Sequence, residues 1–87
     1  MDHRWGVRIA VDTPVVLVYP GNVTGRGRMT EVSASGGFVR TRFAPPDLVW
    51  IHIAGEFEEF EGYIVRHGRH GIAVEWAELS PRILLAQ

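Results

Sequence analysis

The stretch Glu31-Val-Ser-Ala-Ser-Gly-Gly-Phe-Val-Arg-Thr-Arg42 holds the end of one extended segment, a turn, and the start of the next. From Gly37 to Arg42 apolar and polar positions alternate, the period of a half-buried strand. The small residues before it, with their hydroxyls and glycines, suit a tight connection in which glycine supplies positive φ. Working outward, Arg28 to Val32 reads as the strand feeding that turn. Upstream, Pro14-Val-Val-Leu-Val-Tyr19 is rich in β-branched residues and stops at the turn cluster Pro20-Gly21-Asn22. Downstream, Pro45-Pro46-Asp47 interrupts, Leu48 to Ile53 forms a fourth strand, and Gly55 breaks it. Glu56 to Arg66 is a fifth, with its acids weighted to one end. A sixth, Gly71 to Trp76, follows the short connection His67-Gly-Arg-His70.

Short strands at roughly ten-residue spacing predict an all-β protein, a small six-stranded antiparallel barrel. Closure removes the unpaired edges that an open sheet would leave. The expected organisation is one domain over 1–87. Residues 1–10 form a flexible arginine-bearing arm, 13–77 the barrel and 80–87 a short C-terminal helix. Ser80 is a good N-cap and Pro81 suits the first helical position. So short a helix is unstable alone and is expected to dock Ile83, Leu84 or Leu85 on the barrel.

An apolar fraction of 46% argues against disorder. No apolar run approaches the roughly 18 residues of a membrane span, and the N-terminus lacks a signal-peptide pattern. Cysteine is absent, which excludes disulfides and thiolate zinc sites. The expected location is the cytoplasm. With a net charge of −1 the chain lacks the basic excess of a protein that tracks long nucleic acid. All nine basic residues are arginine, so every cation can make planar, bidentate or stacking contacts. A small anionic ligand met by a few arginines fits better than a polymer met by a field.

Arg4 and Arg8 bracket three residues near the chain start, and the Glu31–Gly37 segment adds an acid, hydroxyls and close-approach backbone. Arg4-Trp-Gly-Val-Arg8 resembles the Arg-x-x-x-Arg motif that opens PilZ domains. Glu31-Val-Ser33-Ala-Ser-Gly36-Gly37 resembles the second motif of that family, Asp/Asn-x-Ser-x-x-Gly. Gly62-Tyr-Ile-Val-Arg66 and Gly71 to Trp76 are similar to its closing hairpin, and the resemblance spans nearly the whole chain. It implies a non-enzymatic bacterial receptor for cyclic di-GMP, on a six-stranded barrel, that relays the messenger to a downstream protein partner. Carried over residue by residue, the ligand site is Arg4, Arg8, Glu31, Ser33, Gly36 and Gly37, with no cofactor, no metal and no membrane insertion.

The residue chemistry agrees. Guanine offers N7 and O6 as adjacent acceptors for an arginine fork, and its face accepts a stacked guanidinium. Ordering the arm costs conformational entropy that charge-assisted contacts must exceed. Glu31 is the departure, since the family motif has Asp or Asn. Three outcomes are open to it: reaching the guanine, pairing with Arg4 or Arg8 in the empty protein, or overfilling the site. Weakened or altered binding is expected more than its abolition.

The other readings are plainer. Arg40 is an exposed strand charge that could face the ligand, and Trp76 a core or rim residue that could lend an aromatic face. His67 and His70 flank a glycine turn with no third ligand at metal-binding spacing. Glu56, Glu58, Glu59 and Glu61 form a solvated hairpin face or a surface for a basic partner. An alternative function is a PilZ-like adaptor, for example in surface motility, that has lost nucleotide binding. A small-barrel binder of single-stranded nucleic acid is disfavoured by the near-neutral charge, and an enzyme by the lack of a nucleophile–base or paired-carboxylate site. Oligomeric state is left open.

Overall fold

The computed structural model of the chain describes residues 8–42, 50–56 and 58–77. Six strands follow in order: β1 (Ile9–Tyr19), β2 (Val23–Val32), β3 (Gly36–Arg40), β4 (Trp50–Ala54), β5 (Glu59–His67) and β6 (Gly71–Trp76). They close into an antiparallel barrel in the order β1-β2-β3-β6-β5-β4. Closure comes from β1 pairing with β4, Leu17 opposite Ile53. Side chains alternate in and out along each strand. The inward set, including Leu17, Val39, Ile51, Ile53, Ile64 and Ile72, is buried to the last percent and fills the barrel.

The strands differ from the sequence reading mainly in length. β1 starts at Ile9, which faces Val32, so Ile9 and Ala10 belong to the sheet although the arm was expected to run over 1–10. β2 starts at Val23 rather than Arg28, because each residue from Tyr19 back to Thr13 has a partner to pair with across the hairpin. Gly25 and Gly27 look like strand breakers in isolation. In the barrel, a Cβ on Gly27 would stand 2.7 Å from Val39 Cγ1, so the strand needs glycine there for close packing. β3 ends at Arg40 and β5 begins at Glu59, after a turn closed by Gly55 N donating to the Glu58 carbonyl at 2.8 Å. The proposed C-terminal helix over 80–87 lies outside the described residues.

Positive φ occurs in the β1–β2 turn. Gly21 has φ 84° behind Pro20, the arrangement of a type II turn, and Asn22 follows at 64°. The Ser33–Gly36 turn does not use it: among the described residues no other φ is positive. Gly36 and Gly37 are the first residues of β3 and serve close approach. A Cβ on Gly36 would collide with the Val74 carbonyl oxygen, and one on Gly37 would lie 2.7 Å from the Glu31 carbonyl oxygen.

Candidate functional site

One open cleft on the outside of the barrel, of about 320 Å³, brings together Arg8, Glu31, Ser33, Gly36 and Gly37. Ser35 and Phe38 also line it, and the wall from the β5–β6 hairpin includes Val65, Arg66 and Glu75. Five of the six site residues read from the sequence thus share one surface. Arg4 lies outside the described residues.

Two β-bulges aim charged groups into this cleft. On β2, Met29 faces Val39 and Glu31 faces Phe38, so Thr30 is an extra residue. Strict alternation from buried Met29 would turn Glu31 into the core; the bulge leaves its side chain 40% exposed instead. On β5, Ile64 faces Val74 and Arg66 faces Ala73, which makes Val65 the extra residue. Phe60, Gly62 and Ile64 all point inward, and the bulge brings Arg66 out to solvent. Sequence reading missed Arg66 and Glu75 as cleft residues. The available signal was a charge at an inward phase of an otherwise regular strand, as at Glu31.

Arg8 and Glu31 form an ion pair, Nη1 to Oε1 3.5 Å, with both side chains nearly half exposed. Of the three outcomes open to Glu31, the empty protein shows pairing with Arg8. Opposite them stand Arg66 and Glu75, so the described part of the cleft holds two cations and two carboxylates. Guanidiniums suit phosphate oxygens and the guanine N7/O6 edge, while carboxylates suit the guanine N–H groups.

The turn itself is rigidly held. Ser33 N donates to the Gly36 carbonyl at 2.8 Å, and Ser33 Oγ lies 3.2 Å from the same oxygen. Ser35 N donates back to Ser33 Oγ at 3.3 Å. Ser33 is buried, so its hydroxyl organises the turn rather than facing solvent in the empty protein. From the core side, Trp76 Nε1 donates to the Ser33 carbonyl at 2.8 Å, and Trp76 N to the Ser35 carbonyl at 2.9 Å. Trp76 is 5% exposed and stacks on Phe60 with ring centroids 4.6 Å apart. It is a core residue that braces the turn from beneath.

The weaker candidates lie elsewhere. Arg40 and His70 line a separate cleft at the far end of β3. Glu59 and Glu61 flank His52, at 3.6 and 3.3 Å from its ring nitrogens. Among the described residues no three His, Asp or Glu side chains group as a metal site, and no helix could cross a membrane.

No family model matches the chain, and no curated protein does. Among solved structures it is similar to the crystal structure of the PilZ domain of CeSA from a cellulose-synthesizing bacterium. The TM-score is 0.70 at 19% identity, over 83% of this chain and 81% of that one. With the strand order and closure described above, that likeness establishes the architecture: the chain folds as a PilZ-type β-barrel.

Proposed function

We propose that this protein is a non-enzymatic cytoplasmic receptor for cyclic di-GMP that passes the signal to a protein partner. The observation carrying the reading is that Arg8, Glu31 and the Ser33–Gly37 turn line one cleft, beside a further guanidinium, Arg66. Arg4 joins them on the strength of the Arg-x-x-x-Arg motif. Arg4 and Arg8 grip phosphate and purine edges. Glu31 accepts from a guanine edge, and Gly36 admits ligand close to the backbone. Binding breaks the Arg8–Glu31 pair and folds the arm over the ligand, shifting a population from arm-open to arm-closed.

A second reading is an adaptor without nucleotide binding. It draws on two observations: Arg8 is already paired with Glu31, and the Ser33 hydroxyl is occupied inside its turn. A nitrogen-edited NMR titration with cyclic di-GMP separates the two. The receptor reading expects saturable shifts at Arg8, Glu31, Gly36 and Gly37; an unchanged spectrum at millimolar ligand favours the adaptor.

A further inference from the structure

Five of the nine arginines line a second cleft that shares no residue with the first. Arg26 and Arg28 come from β2, Arg40 and Arg42 from β3 and its exit, and Arg69 from the β5–β6 turn, with His70 beside it. The cleft is open and encloses about 840 Å³.

Nothing in the fold requires this concentration of charge. Arg28 and Arg40 face each other directly across the β2–β3 ladder, and like charges in that position destabilise a sheet. Among the described residues the carboxylate that answers the cluster is Asp12, 2.8 Å from Arg28. The backbone carrying the cluster is nonetheless fixed. Thr41 Oγ1 donates to the Arg26 carbonyl at 3.0 Å, and Thr41 N to the His70 carbonyl at 3.1 Å. One residue thereby ties β2, the end of β3 and the β5–β6 turn together. The guanidiniums are held close at some cost to the sheet.

We infer that this cleft docks an acidic, carboxylate-rich segment of a partner protein. Clustered guanidiniums recognise carboxylates through paired, charge-assisted hydrogen bonds. Among the described residues the lining contains no Phe, Tyr or Trp on which the bases of a single strand could stack. A broad anionic surface such as a membrane or duplex is disfavoured too. The cationic groups line a hollow, the whole chain carries −1, and Glu59 and Glu61 lie on β5, across the barrel from β2. The cleft also sits at the middle of β2 and at the opposite end of β3 from the first, about 13 Å along β3 from Gly36 to Arg40. The inference stands on the arginines alone and does not require nucleotide binding.

The test uses the whole protein without nucleotide and a fluorescein-labelled octaglutamate peptide as probe. Expected are saturable binding that weakens with salt, and shifts of the Nε–H resonances of Arg26, Arg40, Arg42 and Arg69. Arg40→Glu is expected to weaken the peptide about tenfold while raising the melting temperature, because it removes the like-charge pair with Arg28. A merely structural role would move both in the same direction. Glu59→Gln, on the far side, leaves peptide binding unchanged. Three results would overturn the inference. One is no shift at millimolar peptide, and another is tighter binding of a short single-stranded oligonucleotide or phosphatidylserine vesicles at the same arginines. The third is perturbation of the cluster by raising protein concentration alone, which would make a second copy the occupant.

Discussion

Trp76 and Ser33, far apart in sequence, are joined through the barrel wall: the indole Nε1–H donates to the Ser33 carbonyl at 2.8 Å. The outer cleft therefore rests on the core. The same indole stacks on Phe60 inside and meets the backbone at Gly37, where a Cβ would stand 3.1 Å from its ring. Core packing and cleft shape are set by one side chain.

Trp76→Phe retains ring stacking and removes the donor, leaving the Ser33 carbonyl without that partner. A loss of about 1–3 kcal/mol of unfolding free energy is expected, measured by urea denaturation. Ligand-free amide shifts should appear at Ser35 and Gly36. If stability and those shifts both stay put, the indole does not brace the turn.

The two kinds of glycine give a contrast. Gly21→Ala meets nothing within 4 Å and suffers only from its φ of 84°, a cost of about 1–2 kcal/mol. Gly36→Ala drives a methyl into the Val74 carbonyl oxygen, so β3 and β6 must part, costing at least about 3 kcal/mol. Equal melting temperatures for the two variants would contradict the close-approach role of Gly36.

Burial raises the Tyr19 hydroxyl above its ordinary pKa of 10.0. The folded state then resists ionisation that the unfolded chain accepts. The stability attached to this group is whole below about pH 10 and is lost as pH rises through the raised folded value. Unfolding midpoints should fall from about pH 10 up to that raised value, and Tyr19→Phe should flatten part of the decline. An identical alkaline profile for the variant would mean that Tyr19 is not the group responsible.

Arg66 reaches the cleft through the Val65 bulge, and its side chain is solvent-exposed, so the fold does not need its charge. Arg66→Gln should leave the melting temperature unchanged and weaken cyclic di-GMP about tenfold or more. Unaltered affinity would remove Arg66 from the site.

Much of this was legible in the residues. Turn chemistry at Pro20–Asn22 and apolar alternation from Gly37 into β3 are local signals, and local signals locate strands. The site motifs were legible because Arg8, Glu31, Ser33, Gly36 and Gly37 sit within two short segments. What sequence did not show depends on pairing across the barrel. Val23 to Gly27 forms a strand only because β1 lies beside it, with Tyr19 opposite Val23. The packing role of Gly36 does not show in the sequence, because the Val74 backbone it must clear is remote along the chain. The bulges at Thr30 and Val65 arise from unequal residue counts between neighbouring strands, which a single strand records only as a charge at an inward phase. Arg66 was hidden for that reason, and so was the convergence of five arginines from three elements.

The central claim is that Arg8 and its neighbours hold cyclic di-GMP, and isothermal titration calorimetry on the whole protein tests it most directly. The account predicts saturable heat that diminishes with salt, disappears in Arg4→Ala/Arg8→Ala, and grows tighter in Glu31→Asp, whose shorter side chain matches the family motif. The Arg8–Glu31 pair is half exposed at 3.5 Å, so its loss should shift stability by no more than about 1 kcal/mol, and the melting temperature of the double variant checks that Arg4→Ala adds no more. Loss of heat would then reflect the site rather than unfolding. No heat from the unaltered protein at near-millimolar ligand, or normal binding by the double arginine variant, would contradict the account.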